Sequence, residues 1–325
     1  MSSPLYDNIP SLDLYHFIKG DVSQREQFVR DLGNAYQEIG FIAVRNHFLT
    51  GDLSARLYER TKEFFSLDDA IKQKYEIPSL AGQRGYVGKG KEHAKGRNTG
   101  DLKEFFHIGQ EVEDEDAFTE KYPHNIWPKE IHDFREVSIT AYRKLEQTGE
   151  EILKAIALYL GIDENYFTPH VRNGNSILRA IHYYPVAHPE KLPADAVRAA
   201  EHGDINLITL LMGASADGLQ VLRRDGAWIP ITALPEQLVV NVGDMLERLT
   251  NGKLKSTIHR VVNPPRHLMN TPRYSIPFFM HPRSDMSLDA LACCVDESHP
   301  RQWPAILAGD FLQQRLEEIG LKPTS

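Results

Sequence analysis

"HGDINLITLLMG", residues His202 to Gly213, sets a polar triplet against a run of apolar and β-branched residues. The run Leu207 to Met212 reads as a buried core strand whose rigid start presents His202 and Asp204. Two residues apart on an extended segment, these side chains fall on one face, where an imidazole and a carboxylate can reach one metal ion. H-x-D occurs nowhere else in the chain, but fourteen histidines make one such triplet expected by chance. The triplet alone does not separate a strand with polar residues at its mouth from a metal site.

The 325 residues are 41% hydrophobic and 25% charged, an ordinary globular composition with ample chain for a core. A net charge of -8 argues against a general nucleic-acid binder. "MSSPLYDNIPSLDLYHF" has no basic region leading into an apolar one, so no signal peptide is expected, and no apolar run reaches membrane-spanning length. Cys293 and Cys294 are adjacent, so they cannot join distant segments and are a poor zinc pair. They read as packing residues in a reducing, cytoplasmic setting. Nothing demands more than a monomer.

The chain reads as one domain, 1–325, of the α+β class with a mainly β core. Residues 1–170 are mainly helical. "VSQREQFVRDLGNAYQEIG" puts Phe28, Val29, Leu32, Tyr36 and Ile39 on one helical face, with Ser23 as candidate N-cap and Gly40 ending the helix. "DLSARLYERTKEFFSL" predicts a second helix, and Ile131 to Leu160 a third that stops at Gly161. Residues 81–104, rich in Gly and Lys, read as a long loop. From residue 176 to 283 short β-rich runs alternate with Gly, Pro, Asn and Asp, the pattern of a sandwich or barrel. Residues 284–325 end in a helix near Pro304 to Ile319.

A third ligand candidate is His259 in "KLKSTIHRVVNPP". Two histidines and a carboxylate suit non-haem Fe(II), which needs open positions for substrate and oxygen. They also suit catalytic zinc, and structural histidines remain a third possibility. Fourteen residues on, "RYSIPFF" puts Arg273 and Ser275 on one face of an apolar strand. A guanidinium buried there needs an anionic partner, which a carboxylate-bearing cosubstrate would supply.

H-x-D at 202–204, His259 and R-x-S at 273–275, in that order, resemble the Fe(II)/2-oxoglutarate-dependent oxygenases of the isopenicillin N synthase-like family. "LGNAYQEIGFIAVRNH", "GQRGY", "LRAIHYYP" and "LVVNVGDMLERLTNGKLKSTIHRV" extend the likeness over most of the chain. The resemblance implies a double-stranded β-helix, a distorted jelly roll flanked by N- and C-terminal helices. It implies His202, Asp204 and His259 as Fe(II) ligands, and Arg273, Ser275 and Tyr184 as the 2-oxoglutarate site. His182 stands where plant relatives commonly carry Asn. Phe105, Phe106, His107 and Phe279 match positions lining a substrate cavity. Arg84 and Tyr86 sit in the 81–104 loop, read as a lid in which Arg84 pairs with a substrate carboxylate; its Lys89, Lys91, Lys95 and Arg97 read as solvated.

The implied activity couples oxidative decarboxylation of 2-oxoglutarate by O2, giving succinate and CO2, to hydroxylation, desaturation or cyclisation of a small organic substrate. Isopenicillin N synthase and aminocyclopropane-carboxylate oxidases share the R-x-S without using 2-oxoglutarate, so an oxidase is the rival within the family. A non-catalytic binding protein on the same fold and a zinc hydrolase are rivals of other classes.

Overall fold

The computed structural model describes residues 6–91, 101–111, 122–193, 196–213 and 218–318. Its larger sheet has nine strands: β1 (Ser11–Asp13), β2 (Phe41–Arg45), β3 (Gly85–Val87), β4 (Glu104–Gly109), β5 (Ile177–Tyr183), β7 (Ile208–Met212), β10 (Leu238–Val242), β12 (Arg273–Ser275) and β13 (Pro277–Met280). They run in the order β1-β2-β10-β7-β13-β5-β4-β3, with β12 also pairing β5. The smaller sheet is β6 (Ala199–His202), β11 (His259–Val261), β8 (Leu219–Leu222) and β9 (Trp228–Pro230), in that order. Pairing is antiparallel except between β1 and β2. The two sheets form the jelly-roll core, and the class is α+β as expected.

The central strand β10, "LVVNV", is buried along its whole length, which is why it reads as a continuous apolar run. Its one polar member, Asn241, belongs to the site described below. The α-helices of the described residues are α1 (Leu14–Ile18), α2 (Val22–Glu38), α3 (Gly51–Phe65), α4 (Asp69–Lys72), α5 (Phe134–Leu160), α6 (Thr168–Val171), α7 (Asp244–Leu249) and α8 (Ala308–Glu318). The long helix α5 packs against α2 and α3 on one side and β13 and β7 on the other. It ends as expected at Gly161, whose positive φ of 73° lets the chain turn away.

Several boundaries differ from the sequence reading. Asp21, not Ser23, caps α2: its carboxylate accepts from Gln24 N at 2.9 Å, and Gln24 Oε1 accepts from Asp21 N at 3.0 Å. This reciprocal capping box satisfies two orphan donors at once. The 81–104 segment is not all loop, because Gly85–Val87 pairs with Phe105–His107 and extends the large sheet; Lys95 and Arg97 lie outside the described residues. "HGDINLITLLMG" is not a single strand. His202 ends β6 in the small sheet, and β7 begins at Ile208 in the large one. The five residues between them cross from sheet to sheet, turned by Asn206, whose side chain donates to Ile208 O at 2.8 Å and Thr209 Oγ1 at 3.1 Å.

Candidate active site

His202 and His259 are directly opposite each other across β6 and β11, with ring centroids 4.4 Å apart. Each imidazole is held by its own strand: His202 Nδ1 lies 2.7 Å from Ala200 O, and His259 Nδ1 lies 3.1 Å from Thr257 O. A carbonyl oxygen only accepts, so each Nδ1 carries a proton and Nε2 is the nitrogen left to offer its lone pair to a metal. Those lone pairs point to one carboxylate oxygen: Asp204 Oδ1 is 3.9 Å from His202 Nε2 and 3.7 Å from His259 Nε2. Among the described residues this is the one group of three potential ligand atoms close enough to hold a metal ion.

Asp204 reaches the histidines from the sheet-to-sheet crossing. Its second oxygen, Oδ2, accepts from Thr209 Oγ1 on β7 at 2.6 Å and Asn241 Nδ2 on β10 at 2.8 Å. Burial alone would raise this carboxyl. The two imidazoles and these two donors outweigh it and hold Asp204 below the usual carboxylate range. His202 opens 41% of its side chain to an internal cavity, while desolvation in the barrel, aided by His259, lowers its pKa to about 4. The triad therefore offers a neutral His202 imidazole, the Asp204 carboxylate and the Nε2 of His259. That donor set fits Fe(II) and leaves open positions.

The cavity, about 590 Å³, is lined by the triad and runs along β5 from Ile177 to Tyr183. Towards one end lie Tyr183, Ile181 and Ser275. Arg273 is opposite Tyr183 in the β12–β5 pairing, and its guanidinium carbon lies 4.7 Å from the Tyr183 ring centroid. Towards the other end lie Phe279, Arg179, His107, Arg84 and His281.

Profiles of two families match the chain in tandem. One, the N-terminal region of non-haem dioxygenases of morphine synthesis, covers residues 9–130; the other, the 2OG-Fe(II) oxygenase superfamily, covers residues 174–282 and hence the whole triad. The 2-oxoglutarate-Fe(II) type oxidoreductase ppzD of Metarhizium rileyi is 31% identical over 95% of this chain and 90% of its own. The chain belongs to the Fe(II)/2-oxoglutarate oxygenases of the isopenicillin N synthase-like class. This oxygenase also matches a Caulobacter crescentus protein described as a 2OG-Fe(II) oxygenase family member, with 41% identity, a TM-score of 0.85, and 96% and 99% of the two chains covered. A full-length Neurospora crassa protein solved in complex with alpha-KG is 33% identical, with a TM-score of 0.82 over 95% of each chain. The oxygenase is thus a 2-oxoglutarate- and Fe(II)-dependent dioxygenase, O2 being its oxidant, and enzymes of this family act on small molecules. Among the described residues no helix is long and apolar enough to cross a membrane.

The structure divides the remaining candidates of the oxygenase by the pleat of β4 and β5. Tyr184 does not line the cavity. It lies one residue past β5, half-buried against Leu102, Ala196 and Met269, with Lys89 Nζ 5.5 Å from its ring centroid. Tyr183 is the tyrosine that faces inward, a one-residue offset that flips a strand side chain to the other face. His182 also faces away, with Nδ1 2.8 Å from Glu104 Oε1 and its ring stacked on Tyr274 at 4.8 Å. Tyr86 donates its hydroxyl to the same Glu104 and is likewise outside the cavity. Phe106 packs in the main core against Phe64 and Phe134. Phe105 points inward but is covered by Arg179, whose guanidinium carbon is 4.4 Å from its ring centroid. His107, Phe279 and Arg84 do line the cavity.

Thr209, Asn241, Arg179, Asn175, His281 and the Asp101–Lys103 pair went unnoticed in the sequence. Asn241 had a readable signal: it is one polar residue inside an apolar strand, a position that demands a buried partner. Arg179 and Thr209 carry the same signal in β5 and β7.

Proposed function

We propose that His202 Nε2, Asp204 Oδ1 and His259 Nε2 hold the iron, and that Arg273 and Ser275 bind the distal carboxylate of 2-oxoglutarate. The observation that carries this reading is the convergence of two Nε2 lone pairs on one Asp204 oxygen while every other donor and acceptor of the three side chains is already engaged. Partners of this outer kind fix ligand tautomer and orientation before a metal arrives.

When bound, the iron supplies oxidative decarboxylation of 2-oxoglutarate by O2 and the oxidising power for the substrate. The chain's own contribution is positional. Tyr183 supports the Arg273 guanidinium from below, and Ser275 offers a hydroxyl on the same face of the ladder. Ile181, Leu211, Leu219 and Val261 line the same cavity and give it an apolar wall, which strengthens the charge pairing. The substrate then occupies the opposite end, beside Phe279 and Arg179, where hydroxylation, desaturation or ring closure follows from which C–H bond faces the metal.

Anaerobic addition of 2-oxoglutarate to the Fe(II) protein should produce a weak visible charge-transfer band, and R273A should require much more 2-oxoglutarate to reach it. Absence of the band would favour an oxidase that does not use this cosubstrate. We read residues 1–325 as one oxygenase domain, monomeric and cytoplasmic. The adjacent free cysteines Cys293 and Cys294 support a reducing setting.

A further inference from the structure

The end of the cavity away from Ser275 contains a guanidinium with no acid beside it among the described residues. Arg84 is 1% exposed, one of the largest fully buried side chains of the protein. Its Nη1 donates to Gln83 O at 2.8 Å and its Nη2 to Gln110 Oε1 at 3.1 Å; Nε is buried without a hydrogen-bond partner. Burial lowers its pKa to about 10, which still leaves it charged at neutral pH. A buried cation that meets only neutral groups is costly, and natural proteins seldom keep one without a counter-ion.

The position of Arg84 follows from a glycine. Along β4, Phe106 and Ile108 point into the core under α3 and α5, so Phe105, His107 and Gly109 point to the cavity face. A Cβ built on Gly109 would lie 2.1 Å from Arg84 Cζ. The guanidinium thus fills the place of a side chain at 109. In the next row His107 is opposite Arg179. His107 Nδ1 is 2.6 Å from Gly82 O and its Nε2 accepts from Arg179 Nε at 2.5 Å. Arg179 is further fixed between the rings of Phe105 and Phe279, at 4.4 and 5.1 Å.

The acids that line the cavity near the triad are engaged elsewhere. Asp101 pairs with Lys103 at 2.8 Å, Asp204 belongs to the triad, Asp244 accepts from Ser256 at 2.6 Å, Glu201 contacts Arg260 at 3.2 Å, Glu318 contacts Arg315 at 2.7 Å, and Glu247 interacts with Lys255. Two polar atoms near the guanidinia, Asn175 Oδ1 and His281 Nδ1, are buried without hydrogen-bond partners. We propose that the oxygenase's substrate is a small carboxylic acid whose carboxylate pairs with Arg84 beside Arg179, its apolar body lying against Phe279 and Ile177. Asn175 and His281 are then left for the substrate's remaining polar atoms. This rests on the assignment of the triad and of Arg273 to iron and 2-oxoglutarate, since it takes the opposite end as the substrate end.

The test uses the intact protein with Fe(II), 2-oxoglutarate and O2, and a panel of small carboxylic acids, each beside its primary amide. Stimulation of succinate release over the substrate-free rate is followed. Compounds that stimulate should be acids, with kcat/KM at least about tenfold above the matched amide, as expected for one desolvated charge-assisted pair. In R84Q the acid-to-amide ratio should collapse towards one, and R84K should restore part of it by raising the KM of the acid less than R84Q does. Because the ratio is taken within each protein, a general loss of activity does not imitate the result, and if R84Q fails to fold the wild-type ratio decides alone. Amides that stimulate as well as their acids, a ratio unchanged in R84Q, or no stimulation by any acid would each overturn the proposal. Failure of the iron and 2-oxoglutarate assignment is read separately, from the anaerobic band and from substrate-free succinate release.

Discussion

Thr209 on the large sheet donates a 2.6 Å hydrogen bond to Asp204 Oδ2, and Asn241 donates to the same oxygen from the neighbouring strand. The carboxylate that faces two histidines of the small sheet is therefore aimed by the large one. Removing either donor should weaken metal binding without removing a ligand. T209V is expected to lower Fe(II) or Co(II) affinity by about 10- to 100-fold, and N241L by a similar factor. Anaerobic metal titration measures both; affinities equal to the wild type would show that Asp204 is held some other way.

Tyr183 and Tyr184 make opposite predictions. Tyr183 lies under the Arg273 guanidinium, whereas Tyr184 packs on the far side of β5 against Leu102 and Met269. Y183A should raise the KM for 2-oxoglutarate about tenfold, through lost cation–π contact and lost packing around the guanidinium. Y184F should leave that KM unchanged. Steady-state kinetics with varied 2-oxoglutarate reads both, and the reverse ranking would put the cosubstrate on the other face of the strand.

Glu104 is fully buried and gathers Lys72 Nζ at 3.0 Å, His182 Nδ1 at 2.8 Å and the Tyr86 hydroxyl. Burial by itself would raise its pKa, but these three donors hold it below the usual value. E104L leaves the 2%-exposed Lys72 without this partner, and the expected loss is about 3–5 kcal/mol. Urea unfolding measures it. A loss below about 1 kcal/mol would mean that Asp69, which contacts Lys72 at 2.9 Å, compensates.

His281 is buried in the cavity wall and burial lowers its pKa from 6.5 to about 4. Between those two values the unfolded chain holds a proton that the folded one excludes, so stability should fall as pH drops from about 6.5 to 4. In the metal-free protein the slope should approach roughly 1 kcal/mol per pH unit for this group. H281F, which cannot titrate, should flatten that part of the profile in a thermal-shift series. An unchanged slope would assign the acid sensitivity to other groups.

How much of this was legible in the sequence depended on periodicity. The helices α2, α3 and α5 and the strands β5, β7, β8 and β10 have clear apolar patterns that place them to within a few residues, whereas β6, "AAEH", has none. Strands β3 and β4 are harder to place. β3 is three residues long and sits among glycines, so nothing in its own pattern separates it from a loop; only pairing with β4 makes it a strand. The ligand triad is readable because its residue types are chemically narrow. The choice between Tyr183 and Tyr184 is not, since it turns on pleat parity, which "HYYP" alone does not reveal. Likewise Tyr86 reads as part of a lid and His182 only as a replacement for Asn, and the structure places both on Glu104. The exchange of sheets inside "HGDINLITLLMG" depends on Asn206, a single side chain whose turn has no periodic signature.

Gly109 and Arg84 occupy one volume between them: the guanidinium lies where a β-carbon would project. The two positions are therefore tied as a pair. A lineage that acquired a side chain at 109 would have to surrender or re-route the arginine, and one that lost the arginine would be released from glycine. The constraint runs one way: while the arginine is present a side chain at 109 displaces it, so related oxygenases that keep an arginine here should keep the glycine, whereas those that have lost the arginine can have either residue at 109.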